Sequence, residues 1–136
     1  MDLGLVMDEI ADQLKTIGGG LRVHNHPPDT VAAPAAIVTY PDALQYDKTY
    51  ARGMDQMDPG IVVLVGKVSS RAARDRIAKY CAGSGPESFK EVLEGGTYST
   101  LDSLRVVSVA FDIIAVSAVE YLAATFTLDI SGQGES

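Results

Sequence analysis

The spacing of apolar residues predicts three helices. Residues Asp2 to Ile17 carry apolar side chains at steps of three and four positions, which places them on one helical face. The run Gly18 to Gly20 ends this helix, since glycine enters the backbone conformations of a helix end at little cost. The second helix starts after Ser69 or Ser70 and runs to about Cys81, with Ala73, Ile77, Tyr80 and Cys81 inward; the third starts at Pro86 and ends at Gly95-Gly96.

Shorter apolar runs between the first two helices predict three strands. The segment Gly60 to Val68 has an unbroken apolar centre with no alternation, so we expect both faces of that strand to be covered. The other two are Leu21 to His24 and Ala35 to Tyr40, the latter bracketed by Pro34 and Pro41.

The last third of the chain has the clearest strand pattern. Val107, Val109, Phe111 and Ile113 alternate with smaller or polar residues, and a second alternating run extends to Ile130. Two such runs joined near Ser117 predict an antiparallel hairpin with one apolar face. Residues 131–136 are rich in Gly and Ser, and we expect them to form a flexible tail.

Together these elements predict a single α+β domain over residues 1–136. We expect a mainly antiparallel sheet with helices packed on one face. The segment 41–60 has no clear period, and its aromatic, Met and Asp residues suggest a protruding arm, either a hairpin or a loop. Its large side chains are Tyr46, Tyr50, Met54 and Met57.

The distribution of charge indicates which partners this fold can bind. The chain has a formal net charge of −7, which argues against a protein that grips nucleic acid through its phosphates. Residues 61–85 nevertheless carry a net +4, mostly on the second helix. One interpretation is a solvated helix face with a local Arg71–Asp75 pair. The other is head-to-tail assembly, in which Arg71, Arg74 and the arm contact the next copy.

The residues that usually carry chemistry do not form a site in the sequence. His24 and His26 would need a third ligand for zinc, and Asp29 is the nearest candidate. The single Cys81 lies on an apolar helix face, as a small core residue does. We therefore predict no catalytic residue, no cofactor and no metal. The acids among the first dozen residues do not suit a signal peptide, and the longest apolar run, Ile61 to Val65, is too short to span a membrane.

Five segments of the chain carry a family resemblance. The sequence resembles the small neck proteins of long-tailed phages of actinobacteria, particularly the tail terminators. The likeness spans nearly the whole chain. Its segments are Met1–Ile10, Pro34–Pro41, Tyr50–Asp55, Val62–Asp75 and Tyr121–Ile130.

The resemblance implies a non-enzymatic virion protein, made in the host cytoplasm and assembled as a hexameric ring. Such a ring caps the tail tube, stops its growth and joins it to the head connector or stopper protein, while DNA passes through the lumen without specific binding. We expect subunit or partner contacts at Tyr46, Tyr50, Arg52, Met54, Arg71 and Arg74, and lumen-facing acids at Asp47, Asp55 and Asp58.

Two alternatives remain open from the sequence. The first is another neck component, either a head-to-tail adaptor or a stopper. The second, from a different class, is a small metal- or ligand-binding α+β domain that uses His24, His26 and nearby acids.

Overall fold

A computed structural model describes residues 3–17, 21–24, 34–39, 44–45, 54–67, 70–85, 87–116 and 118–133. Within these ranges the chain forms an α+β fold, as the sequence predicts. The helices are α1 (Leu3–Leu14, extended by a 3-10 turn over Lys15–Ile17), α2 (Arg71–Tyr80) and α3 (Phe89–Glu94). The strands are β1 (Arg22–His24), β2 (Ala35–Thr39), β3 (Leu44–Gln45), β4 (Met54–Met57), β5 (Gly60–Lys67), β6 (Ser103–Val116) and β7 (Val119–Gln133).

The long strand β7 organises one seven-stranded sheet. Along one edge it pairs first with β5 and then with β4, and along its other edge it pairs with β6. Strands β2 and β3 lie outside β5 and β4 respectively, and β1 follows β2. Only the β1–β2 pair is parallel among the described strands, so the predicted antiparallel sheet is confirmed.

One face of this sheet and the three helices enclose the main core. Phe89 of α3 lies at its centre, with its ring 4.8 Å from the ring of Phe126 and 5.0 Å from that of Tyr80. The predicted inward face of α1 is confirmed, because Val6, Met7, Ile10, Leu14 and Ile17 are all buried. On the opposite face of the sheet Ala35, Ile37, Leu64 and Ala123 are buried, which agrees with a β5 covered on both sides.

Three element boundaries differ from the sequence prediction. Helix α3 begins at Phe89, after Pro86, because the Ser88 hydroxyl accepts the backbone N–H of Glu91 and acts as the N-cap. Strand β6 begins at Ser103 and contains a bulge between Val106 and Ser108. Strand β7 continues through Ser131 to Gln133, where the tail was expected, because β4 supplies a hydrogen-bonding partner for these residues. Residues 134–136 lie outside the described residues.

A carboxylate that the sequence did not single out fixes the segment leading into β6. Glu9 of α1 accepts hydrogen bonds from the backbone N–H groups of Ser99 and Thr100, at 2.9–3.0 Å, and from both hydroxyls, at 2.7–2.8 Å. Burial opposes ionisation, but these bonds outweigh it and lower the pKa of Glu9 to about 2. Residues 90 positions apart in sequence are thereby held together.

Candidate assembly surfaces

Helix α2 is held close to the sheet by its inner side. Ser70 caps its first turn by accepting the Ala73 N–H, and Ala73, Ile77 and Tyr80 are buried as predicted. Ala73 packs against Gly66, where an added Cβ would lie 3.1 Å from the Ala73 Cβ. Gly66 also has a φ of +155°, so glycine is required there for both conformation and space. This contact fixes which side of α2 faces solvent.

The solvent side of α2 carries the two predicted interface arginines. Arg71 and Arg74 are exposed, and neither guanidinium group has a hydrogen bond or ion pair within the described ranges. The local Arg71–Asp75 pair considered from the sequence is absent from this part of the structure. Among the other cations of α2, Lys79 lies 3.8 Å from Glu87, and Arg76 donates to the Tyr80 hydroxyl at 3.4 Å. Within the described residues, the cations of α2 without a side-chain partner therefore lie in its first turn, followed by the exposed acid Asp75.

Strand β6 carries most of the exposed apolar surface. Val107, Phe111 and Ile113 are 51%, 60% and 52% exposed, and Leu5 is the fourth large apolar residue with such exposure among the described residues. The register places Phe111 opposite Ala124 and Ile113 opposite Leu122, so both lie on the helix-facing side of the sheet. We call residues 107–115 the open segment of β6.

The beginning of the same strand is covered. Helix α3 packs on β6, and Val106 is buried and Leu104 partly buried against the core. The Val106 N–H donates to the Glu94 carboxylate at 3.0 Å, which satisfies a group that a free strand edge would leave unpaired. Hydrogen bonds from Lys90 and from this N–H lower the pKa of Glu94. We call residues 103–106 the capped segment of β6.

The free edge of β6 continues past the point where Glu94 protects it. Among the strands described, only β7 pairs with β6, and it does so on one side along its whole length. Strand edges of this length are usually shielded by charges, bulges or covering elements, because they offer backbone groups to another chain. Here the bulge at Val107 marks the change from the capped to the open segment.

The predicted arm is only partly within the described residues. Strands β3 and β4 pair antiparallel, as a hairpin requires, and β4 joins the edge of β7. Met54 and Asp55 lie on β4, paired with Gln133 and Gly132, and Asp58 is an exposed residue after it. Tyr46, Asp47, Tyr50 and Arg52 lie outside the described residues.

The candidate metal ligands are similarly divided. His24 is half-buried on β1, whereas His26 and Asp29 lie outside the described residues. Within the described ranges, no three His, Cys, Asp or Glu side chains are placed to hold a metal ion. Cys81 caps the end of α2 and is half-buried, and burial raises the pKa of its thiol to about 11. That shift disfavours the reactive thiolate.

Sequence reasoning found the arginines of α2 but missed the open segment of β6. The signal was available, since Val107, Val109, Phe111 and Ile113 were recognised as one apolar face. The sequence did not reveal how much of β6 the helices cover. The bulge also moves Val107 out of the alternation that the later residues follow.

No protein-family model matches the chain, and no curated protein matches it. In the helices that the structure describes, none combines the length and apolar character needed to cross a bilayer.

Proposed function

We propose that this protein is a ring-forming virion component, the tail terminator of a long-tailed phage. In this proposal six copies form a ring that caps the tail tube, stops its polymerisation and joins it to the head connector or stopper. The proposal rests on the sequence resemblance and on one structural observation: an apolar strand edge that the described part of the chain leaves open.

The open segment of β6 supports self-assembly because a monomer gains nothing from exposing it. Phe111 and Ile113 are exposed on the same side of this edge strand and form a patch of the kind that marks protein–protein contacts. The sign of the charge supports the second part of the proposal. A protein with net charge −7 repels phosphates, which suits a lumen through which DNA must pass without binding.

The test is the mass and shape of the purified protein in solution. Analytical ultracentrifugation followed by negative-stain imaging is expected to give a six-fold ring, and DNA added at physiological salt is expected not to shift its sedimentation. A twelve-fold ring would favour the adaptor alternative. A species that remains monomeric at the highest attainable concentration would contradict ring formation by the chain alone.

Addition to tail tubes tests the terminator role separately from assembly. Tail tube protein that polymerises in vitro is expected to stop elongating when the ring is present, and rings should be visible at tube ends. Rings that leave tube length unchanged would argue against a terminator while preserving the assembled state. Binding of the ring to the connector instead would favour a stopper.

A further inference from the structure

We infer that helix α2 of one copy packs on the open segment of β6 of the next copy. This inference rests on the proposed ring and names the two surfaces that form its repeated contact. The partner is a second copy of this chain. Three observations carry it: the uncovered place in the helix layer, the charges on the two surfaces, and the geometry of repetition.

The first observation is that the helix layer stops before the end of β6. Helix α2 contacts β5 and β7, and α3 contacts β6, yet Phe111 and Ile113 remain more than half exposed on the helix-facing side. Val109, one pair closer to α3, is already partly buried against the core. A sheet face of this kind is normally closed by a helix that lies across it. Among the described residues, no helix covers the open segment.

The second observation is charge complementarity. Residues 106–128 contain Asp112 and Glu120 and no Lys, Arg or His. Glu120 stands opposite Ala115 and shares the helix-facing side with Leu122; it is exposed and has no partner among the described residues. The outward side of α2 supplies what this surface lacks, namely the guanidinium groups of Arg71 and Arg74.

These arginines suit an apolar and acidic surface better than lysines would. A planar guanidinium stacks on an aromatic ring such as that of Phe111 and can donate two parallel hydrogen bonds to a carboxylate such as that of Glu120. Ala72 and Ala78 are also exposed on α2, and their small side chains allow the helix to approach a strand closely. The outward side of α2 thus combines two guanidinium groups with small alanine side chains, and Asp75 is its exposed acid.

The third observation concerns symmetry. The pairing of α2 with β6 joins different surfaces. Such a heterologous contact leaves one of each surface free on every pair, and it closes into a ring when the rotation allows.

The contact is tested first by reversing charges. The variant Arg71→Glu/Arg74→Glu and the variant Glu120→Arg are each expected to weaken association by about tenfold or more. Combining Arg74→Glu with Glu120→Arg in one chain should restore most of the affinity that Glu120→Arg alone removes. The ion pair between positions 74 and 120 is then re-formed with the two charges exchanged. Arg22→Glu, a reversal of an exposed arginine on β1, serves as the control and should leave association unchanged.

Cross-linking tests directly whether α2 of one copy lies next to β6 of another, at protein concentrations where stable rings are few. In a Cys81→Ser background, one protein carries Arg74→Cys and a second, size-tagged protein carries Phe111→Cys. A short bis-maleimide is expected to join the two different proteins and to give little product from either protein alone. Circular dichroism of each variant checks that the fold is intact; both substituted residues are exposed.

The outcomes separate this inference from the proposed function. Rings that form normally in both charge-reversal variants would overturn the inference and leave the proposed function standing. Cross-linking of the Phe111→Cys protein with itself would likewise overturn it, in favour of a symmetric β6 contact. A wild-type chain that neither assembles nor gives the mixed cross-linked product would overturn both.

Discussion

The two segments of β6 belong to one strand and pair with one partner on either side of a bulge between Val106 and Ser108, yet they have opposite environments. In the capped segment α3 covers Val106, and Glu94 binds its N–H at 3.0 Å. In the open segment Phe111 and Ile113 face the same side and remain exposed. The neighbouring helix α3 covers only the first of these segments, and the bulge lies at the change between them, so the exposure reflects where the helix layer ends.

This comparison separates two uses of an apolar residue. An apolar side chain in the capped segment stabilises the fold of one copy, whereas the described residues leave the same kind of side chain exposed in the open segment. Truncation in the capped segment should therefore lower the free energy of unfolding, and truncation in the open segment should weaken association. Matched substitutions in the two segments separate an effect on the free energy of unfolding from an effect on association.

The largest effect is expected for Phe89→Ala in the core beneath the capped segment. Phe89 is fully buried and stacks on Phe126, so its loss removes buried area and leaves a cavity. The free energy of unfolding should fall by about 3–5 kcal/mol. Phe111→Ala is the matched truncation in the open segment and should change unfolding by about 0.5 kcal/mol or less. Urea denaturation of the dilute monomer measures both.

For association we expect the opposite order, with a larger effect from Phe111→Ala than from Phe89→Ala. Phe111→Ala is expected to weaken ring formation, while Phe89→Ala should affect it only through the folded fraction. If Phe111→Ala unfolds the monomer as readily as Phe89→Ala does, the open segment is part of the core and the comparison fails.

The next effect concerns Glu9, which holds the segment leading into the capped part of β6. Glu9→Ala leaves the donors of Ser99 and Thr100 without their acceptor and should cost about 1–3 kcal/mol. Asp12→Ala is the matched control, since Asp12 is exposed and, among the described residues, its carboxylate contacts Lys15 alone, at 3.4 Å. It should cost less than about 0.5 kcal/mol.

Acid should remove the contribution of Glu9 over a defined pH window. The folded state lowers its pKa from 4.5 to about 2, so the stabilisation is complete above pH 4.5 and is lost as the pH falls toward 2. Wild type and Glu9→Ala should therefore converge in stability through that range. Parallel curves from pH 6 to pH 2 would contradict the assigned role of the carboxylate.

A smaller effect is expected where the capped segment is protected. Glu94→Ala removes the acceptor of the Val106 N–H and should cost about 1–2 kcal/mol. It should also lengthen the unprotected edge, seen as increased light scattering on incubation. Lys90→Ala breaks the ion pair with Glu94, at 2.7 Å, but keeps the carboxylate on the strand, so it should not promote aggregation. Equal scattering from both variants would show that the cap does not protect the edge.

The smallest effect is expected at the turn that ends the open segment. Ala118 has a φ of 64°, which is strained for a residue with a side chain. Ala118→Gly should raise the free energy of unfolding by about 0.5 kcal/mol, because relief of strain exceeds the added freedom of the unfolded chain. Ala115→Gly, in the strand itself, should lower it by about 0.5–1 kcal/mol. Thermal denaturation of the two variants would reveal the difference in sign.

Much of the fold could be predicted from local patterns. The faces of α1 and α2, the β6–β7 hairpin and its turn follow from alternation, helix spacing and capping residues. The sequence also identified Arg71 and Arg74 as exposed cations, which the structure confirms. Their role in an interface stays a prediction.

What could not be predicted depends on contacts between distant residues. The hydrogen bonds between Glu9 and Ser99 join residues 90 positions apart in sequence. The extension of β7 to Gln133 depends on pairing with β4. The exposure of Phe111 depends on the end of α3, which no pattern within β6 records. Local sequence describes an apolar face well but does not reveal what covers it.

Hydrogen–deuterium exchange at low and high protein concentration tests the central claim most directly. We expect amides of residues 107–115 and the outward side of 71–80 to gain protection on assembly, while residues 103–106, already capped in the monomer, stay unchanged. Assembly that protects other surfaces and leaves 107–115 exchanging as in the monomer would contradict the assignment of the open segment as the subunit interface.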